Sequence, residues 1–359
     1  MHSPSDYMVL DDVHYVTKFP KTFSLNNGTE IDVENDLDII GLLDFRIEDS
    51  VLIFIKRAPE NHRKGFWTFL SLPGYQYLGE FLTKGQGPNE FYFPPRVFQT
   101  TFFKENEDLN AIIYIVDPPE LYQMNITESL KNNRLDMRRL KTSVPWALAN
   151  FVFIDSTTFF CRSMNDGIQD QWNALLGTHQ IRYVFRNGER ITPPHFEKLN
   201  LARVDPLNFG EVRQAQDLEI LSATIKYNSE REIFVEMPIR LNYLNMYSLD
   251  GSFGKTICIG KKMDNIKKIQ NMEPTDRKRH FIDLQLFPNF WAVAVEKNKH
   301  FHEILLFDWK GKPLAELKLN NTITSFGIDL INGYLYTLDN ITEAFFKYDI
   351  RDILKEIGK

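Results

Sequence analysis

The most unusual charge pattern in the sequence is the run from residue 261 to 280, KKMDNIKKIQNMEPTDRKRH, which we name the basic segment. Between residues 261 and 279 it contains seven Lys or Arg and three Asp or Glu, although the whole chain has a formal net charge of −6. A concentrated positive field attracts anions. The segment therefore predicts a site for an anionic ligand, formed by Lys267, Lys268, Arg277, Arg279 and His280. Helical spacing of Met263, Ile266 and Ile269 leaves open the alternative of a solvated helical insertion.

Motifs that would identify an enzyme are missing from the sequence. It contains no phosphate-binding P-loop, no Gly-x-Ser-x-Gly nucleophile turn and no His-Glu-x-x-His zinc motif. The sequence therefore assigns no catalytic residue, no cofactor, no cofactor-binding residue and no metal ligand. The two cysteines, Cys161 and Cys258, lie in apolar runs, which predicts two buried thiols, with a disulfide as the alternative in an oxidising compartment.

Composition restricts the class of protein. The hydrophobic share of 43% and the charged share of 25% are typical of a folded domain and argue against wholesale disorder. The acidic balance gives no reason to expect a nucleic-acid partner. No apolar run is long enough for a transmembrane helix, and the first residues, MHSPSDYMVLDD, do not form a signal peptide as written. A leader removed beforehand and a true cytoplasmic start both remain open.

The elements that would position these residues form a repeat. Six times along the chain, three alternating apolar runs follow one another, and most units add a fourth after a tight turn. The clearest copy, residues 281–320, reads FIDLQLF, AVAVE, EILLFDW and PLAELKL. Asn187-Gly188, Asp250-Gly251 and Lys310-Gly311 fall between third and fourth runs, where Gly favours a hairpin. Such four-stranded units predict an all-β fold, a six-bladed β-propeller, with two packed β-sandwiches as the alternative.

The last unit has no obvious fourth strand. We therefore expect the amino-terminal runs VHYVTKF or KTFSL to supply it and to close the propeller, since an open sheet edge is a liability. This organisation predicts a single domain over residues 1–359. It divides into a lead-in with the closing strand (1–38), six blades (39–350) and a tail that looks helical (351–359).

One loop carries a family resemblance. Residues 78–95, LGEFLTKGQGPNEFYFPP, resemble the Gly-x-Gly-Pro-Gly-Glu-Phe…Pro motif of the TolB-like six-bladed propellers of Bacteroides-type bacteria, and NHL-repeat propellers have a similar pattern. The second Gly of the family motif is Asn89 here, a residue that tolerates left-handed backbone. The resemblance implies an exported protein or lipoprotein, periplasmic or at the cell surface. The loop itself is expected to be structural, with Phe91 buried, and Gln86, Asn89 and Glu90 are its candidate ligand-binding residues.

The function predicted from these features is a non-enzymatic ligand- or protein-binding propeller module. Its partner would be a protein or a glycan, with an anionic ligand favoured by the basic segment. The alternative is a hydrolase or lyase acting in the central channel, as in lactonase-like propellers, where a metal is held by acidic and Asn side chains. Asp44 and Asp329, at the ends of predicted inner strands, would then serve as ligands.

Overall fold

The computed structural model describes residues 4–37, 39–57, 65–87, 90–95, 100–115, 119–142, 144, 148–163, 178–205, 216–298 and 301–358. These residues form six sheets of four or five strands. The fold is a six-bladed β-propeller, as the repeat of alternating runs predicted.

The strands follow the chain in blade order. Three amino-terminal strands come first: β1 (Val13–Val16), β2 (Thr22–Leu25) and β3 (Thr29–Ile31). Blade one contains β4 (Leu42–Glu48), β5 (Val51–Lys56), β6 (Gly65–Ser71) and β7 (Tyr77–Thr83). Blade two contains β8 (Thr100–Glu105), β9 (Asp108–Ile115), β10 (Glu120–Asn125) and β11 (Met137–Arg139). Blade three contains β12 (Leu148–Asp155), β13 (Thr158–Ser163), β14 (Ile181–Arg186) and β15 (Glu189–Ile191).

The remaining blades have the same order. Blade four contains β16 (Ala223–Asn228), β17 (Ile233–Pro238), β18 (Tyr243–Ser248) and β19 (Gly254–Ile259). Blade five contains β20 (Phe281–Leu286), β21 (Trp291–Asn298), β22 (Phe301–Phe307) and β23 (Pro313–Leu319). Blade six contains β24 (Ser325–Asp329), β25 (Tyr334–Asp339) and β26 (Ala344–Asp349).

Short helices connect some of these strands. The α-helices are α1 (Ile126–Asn132), α2 (Pro194–Leu199), α3 (Ile266–Gln270) and α4 (Arg351–Glu356), and 3-10 turns occupy Pro4–Asp6, Glu219–Leu221 and Pro274–Asp276. The tail therefore begins as the helix that its sequence predicted. Among the residues that the structure describes, none of the helices combines the length and the apolar character needed to cross a bilayer.

The amino-terminal segment completes the last blade, but with a different strand from the one expected. β3 pairs antiparallel with β26, where Ile31 lies opposite Phe345 and Thr29 opposite Lys347. This confirms closure by an amino-terminal strand. The two runs expected to close it are fifth strands instead: β1 pairs in parallel with β19 in blade four, and β2 lies beside β23 in blade five. An added strand covers the exposed edge of each of these blades.

Packing divides the chain into two compact units. Unit one consists of residues 1–22, 145–298 and 303–316, and unit two of residues 23–144, 299–302 and 317–359. In unit one, Trp291 stacks on Phe307 with ring centroids 4.4 Å apart. In unit two, Phe345 packs edge-to-face against Phe45 and Phe54. The organisation of residues 1–359 as a single domain remains a prediction.

Local geometry agrees with the turn and cysteine predictions. Asn187 and Gly188, between β14 and β15, have φ angles of 52° and 85°, the left-handed geometry of a tight hairpin. Cys161 and Cys258 are buried free thiols and form no disulfide. Burial raises the pKa of Cys161 to about 12 and that of Cys258 to about 11, so neither thiol is a ready nucleophile at neutral pH.

Candidate functional site

A small closed turn begins where β7 ends. We define the Gly85 loop as residues 84–87 and 90–95, the described part of the connection between β7 and β8. Its ends are tied by two backbone hydrogen bonds: the Phe91 N–H donates to the Thr83 carbonyl at 2.9 Å, and the Gly85 N–H donates to the Phe91 carbonyl at 3.2 Å. The loop is thus fixed at its base by its own backbone.

Glu90 holds the inside of this turn. Its carboxylate accepts a hydrogen bond from the Gly87 N–H at 2.7 Å. The carboxylate lies so close to Gly85 that a Cβ atom at that position would overlap it. A side chain at position 85 would therefore displace the Glu90 carboxylate from its hydrogen bond with the Gly87 N–H. Of the predicted ligand-binding residues of this loop, Gln86 and Glu90 are exposed, and the Glu90 carboxylate is already hydrogen-bonded to the Gly87 N–H. Asn89 lies outside the described residues.

One apolar contact and one hydrogen bond anchor the far side of the Gly85 loop. Phe91 is only 5% exposed and packs edge-to-face on Tyr122, with ring centroids 5.6 Å apart. The Trp67 indole N–H donates to the Pro95 carbonyl at 3.1 Å. The prediction that Phe91 is buried is confirmed. These anchors fix both ends of the short stretch between Phe91 and Pro95.

The side chains between those anchors point into solvent. Tyr92 is 63% exposed and Phe93 is 72% exposed. Their rings meet edge-to-face, with centroids 4.7 Å apart and planes at 84°. Sequence reasoning missed this pair. The available signal was the run Phe91–Phe93 itself, because three consecutive aromatic residues in a tight loop cannot all face one core.

The basic segment folds around a short helix. The Asn265 side chain caps α3 by accepting from the Lys268 N–H at 2.9 Å. Ile266 and Ile269 are buried in the core of unit one, and Met263 packs beside them. The apolar helical stripe predicted from sequence is therefore present, and it holds the segment on unit one.

Arg277, one of the predicted ligand-binding residues of the basic segment, is buried. Its guanidinium forms an ion pair with Asp217 and donates to the carbonyls of Gln216 and Gln270, at 2.9 and 3.1 Å. The Gln270 side-chain amide also donates to Asp217, at 3.1 Å. A buried charge needs such partners, and here they come from the chain before blade four. Arg277 therefore links the basic segment to the chain that precedes blade four.

Other charged groups of the basic segment also have internal partners. Lys267 pairs with Asp205 at 2.9 Å, and this hydrogen bond raises the pKa of the lysine. His280 pairs with Asp264 at 2.8 Å. Arg279 is exposed, and its guanidinium donates to the carbonyls of Phe281 and Ile282. Lys268 is exposed, and within the described ranges no carboxylate pairs with it.

A second buried charge cluster connects blades three and four within unit one. The Arg182 guanidinium pairs with Glu236, which also accepts from the Tyr247 hydroxyl at 2.9 Å. Arg162 donates to the carbonyls of Leu221 and Ala223, at 3.1 and 2.9 Å. Burial and the neighbouring Arg182 lower the pKa of Arg162 to about 9. No sequence motif predicted this cluster, because its members come from strands that are distant in sequence.

Asp329, one of the two candidate metal ligands, accepts hydrogen bonds within its own turn. It accepts from the backbone N–H groups of Ile331 and Asn332 at 3.0 Å and from the Asn332 side-chain amide at 2.7 Å. Asp44 accepts from the Phe45 N–H at 2.8 Å. In the part of the chain that the structure describes, no group of three or more His, Cys, Asp or Glu side chains is arranged to hold a metal ion.

Comparisons with known proteins find the fold but no relative in sequence. Neither protein-family models nor curated proteins match the chain. Among solved structures, a DUF4221 family protein from Bacteroides vulgatus is similar with a TM-score of 0.50 and 13% identity, covering 91% of this chain and 94% of that one. A Bacteroides fragilis protein for which export has been suggested matches with a TM-score of 0.46 and 11% identity, covering 91% and 98%. At these identities the similarity extends to the propeller fold alone.

Proposed function

We propose that this chain is a non-enzymatic ligand- or protein-binding propeller module and that Tyr92 and Phe93 form part of its contact surface. The observation that carries the proposal is the exposure of these two touching rings between two buried anchors. Aromatic side chains are enriched at binding interfaces, where they provide large rigid contact areas.

The loop geometry supports recognition by a preformed surface. The Phe91 ring, the Glu90 carboxylate and the Trp67–Pro95 hydrogen bond already fix the backbone around the pair. A ligand would therefore find the two rings in place, and little conformational entropy would be lost on binding. Gln86, exposed on the same loop, is the polar side chain that we assign to this surface.

The family and the cellular location of the protein are also part of this proposal. We infer a TolB-like propeller, exported to the periplasm or the cell surface as a lipoprotein, from the resemblance carried by Gly85, Gly87, Glu90 and Phe91. Within the basic segment we propose Lys268 as the contact for an anionic ligand. The proposal is supported by the internal partners of the other four predicted residues, Lys267, Arg277, Arg279 and His280. Protein and glycan remain the two partner classes to be tested.

A binding screen tests the proposed surface. Wild-type protein and the double variant Tyr92→Ala/Phe93→Ala are compared on an array of neutral and acidic glycans and against a displayed random-peptide library. Loss of the two rings should weaken any specific binding at least tenfold, and thermal unfolding should be unchanged. Tyr77→Ala is the matched control, because Tyr77 is a single exposed ring in unit two, 65% exposed on β7. Equal binding by the wild type and the double variant would refute the proposed surface.

A further inference from the structure

A cleft in unit one brings together lysines that are far apart in sequence. It has a volume of about 450 Å³ and lies between β1 and the turn that joins β22 to β23. Its walls include Tyr15, Lys18, Lys255, Lys310 and Lys312. The volume is in the range of sites for small molecules. We name it the basic cleft.

The positive charges of the basic cleft are not neutralised internally. Its one carboxylate, Asp308, accepts from the backbone N–H groups of Lys310 and Lys312, at 2.9 and 2.8 Å. Across the described ranges, no carboxylate forms an ion pair with the ammonium groups of Lys18, Lys310 or Lys312. These three side chains are exposed. Four lysines and one carboxylate line the cleft, so the electrostatic field there is positive although the whole chain is acidic.

The walls of the cleft are held by backbone hydrogen bonds. β1 pairs with β19 over its whole length, and the Gly260 N–H donates to the Val16 carbonyl at 2.8 Å. The opposite wall is a closed turn, in which the Asp308 N–H donates to the Lys312 carbonyl at 3.0 Å. The Lys255 ammonium then donates to the Lys310 carbonyl at 2.9 Å and ties the turn to β19. The cleft is therefore formed before any ligand arrives.

Tyr15 adds a flat apolar surface to this charged site. Its side chain is 50% exposed on β1, next to buried Val16. A ring face beside several ammonium groups suits a ligand that has both a ring-shaped body and an anionic group. A sugar ring with a sulfate or carboxylate substituent has these two properties.

We propose that the basic cleft binds an anionic saccharide, with Lys18, Lys310 and Lys312 contacting its sulfate or carboxylate groups and Tyr15 packing against a sugar ring. The cleft is lined by lysines without arginine, so its ammonium groups would contact the anionic group as point charges and not through a planar fork. The overall charge of −6 also opposes long-range attraction of an extended polyanion such as nucleic acid. This proposal is independent of the surface formed by Tyr92 and Phe93.

Calorimetric titration with four defined probes tests the proposal. The probes are a sulfated disaccharide, its unsulfated parent, a disaccharide containing a uronic acid, and a short single-stranded DNA of equal charge to the sulfated one. We expect the wild type to bind at least one acidic disaccharide, more weakly at high salt, and not to bind the unsulfated parent. No binding of either acidic disaccharide up to millimolar concentration would overturn the proposal, as would DNA binding of equal strength.

Charge-reversal variants locate the site. Lys310→Glu/Lys312→Glu should weaken binding of the acidic disaccharide at least tenfold. The matched control is Lys261→Glu/Lys262→Glu, which makes the same charge change on two exposed lysines of unit one outside the cleft. An equal loss in both variants would show attraction by net charge alone and would overturn the assignment to the cleft.

Two further variants separate the ring contact from the charge contact. Tyr15→Ala should weaken disaccharide binding and leave the weak binding of inorganic sulfate unchanged, because only the sugar ring contacts Tyr15. Tyr92→Ala/Phe93→Ala should leave the affinity for the acidic disaccharide unchanged. If the aromatic double variant abolishes this binding and the Lys310/Lys312 variant does not, the saccharide belongs to the Gly85 loop and the cleft proposal fails.

Discussion

The Gly85 loop and the basic segment are both connections that the sequence marked as ligand-binding, and they differ in the side chains that they leave available to a ligand. The Gly85 loop buries the aromatic ring of Phe91 and leaves Tyr92 and Phe93 in solvent. The basic segment buries the guanidinium of Arg277 against Asp217 and pairs Lys267 and His280 with acidic side chains. The Gly85 loop therefore keeps exposed aromatic side chains available to a ligand. The basic segment uses in internal ion pairs several of the charges that made it stand out in the sequence.

The largest effect is expected for the buried ion pair of the basic segment. Arg277→Ala leaves the Asp217 carboxylate buried without its cationic partner, which should lower the free energy of unfolding by about 3–5 kcal/mol. Urea unfolding followed by fluorescence measures the change. Lys278→Ala, at the adjacent exposed position, should leave the unfolding curve almost unchanged. Similar curves for both variants would show that the segment is a solvated insertion.

The second-largest loss of stability is expected for Phe91, the apolar anchor of the Gly85 loop. Phe91→Ala removes a buried ring that packs on Tyr122, and we expect a loss of about 3 kcal/mol in the free energy of unfolding. The same urea experiment applies, with Phe93→Ala as the exposed control, which should unfold like the wild type. If Phe91→Ala were as stable as Phe93→Ala, backbone hydrogen bonds alone would hold the loop.

A smaller loss of stability is expected when the contact between Gly85 and Glu90 is changed. Gly85→Ala places a methyl group against the Glu90 carboxylate and displaces it from the Gly87 N–H, which should lower the free energy of unfolding by about 1 kcal/mol. Combining it with Glu90→Ala removes the clash, so the double variant should lose less stability than the sum of the two single changes. Gly74→Ala is the control, because a Cβ there meets no atom within 4 Å. Strict additivity would contradict the proposed contact.

The smallest effect should come from the surface pair between Lys267 and Asp205. Both side chains are about half-exposed, so water and salt weaken their attraction. Lys267→Ala should lower the midpoint of thermal unfolding slightly in dilute buffer and not at all in 1 M salt. A loss of stability as large as that of Arg277→Ala, or one that ignores salt, would mean that this pair also anchors the segment.

The fold could be read from local patterns because strands and hairpin turns are local features. Alternating runs and turns such as Asn187-Gly188 predicted the blades. The closing strand β3 could not be identified in the same way, since Thr29–Ile31 is three residues long and buries only Ile31. The longer neighbouring runs were better strand signals, and they do form strands, but on other blades.

The site was less predictable because burial and pairing depend on distant residues. Arg277 and Lys278 are equivalent in the sequence, and only the position of Asp217, 60 residues away, decides which of them is buried. The basic cleft gave no signal, because Lys18, Lys255 and the Lys310–Lys312 turn are brought together by the pairing of β1 with β19. A charge run shows where charges are dense, and only tertiary structure shows which ones remain unpaired.

The amino-terminal strands also have a consequence for the order in which the protein is made. Leu10 hydrogen-bonds to Thr256, 246 positions later, and Gly41 to Glu343, 302 positions later. At bacterial and eukaryotic synthesis rates of roughly 5–20 residues per second, the partner of Leu10 leaves the ribosome about 12–50 s after Leu10 itself. During that interval Met8 and Leu10, which are fully buried in the finished fold, remain exposed to water. Met8 and Leu10 therefore reach their buried positions only after blade four has been synthesised.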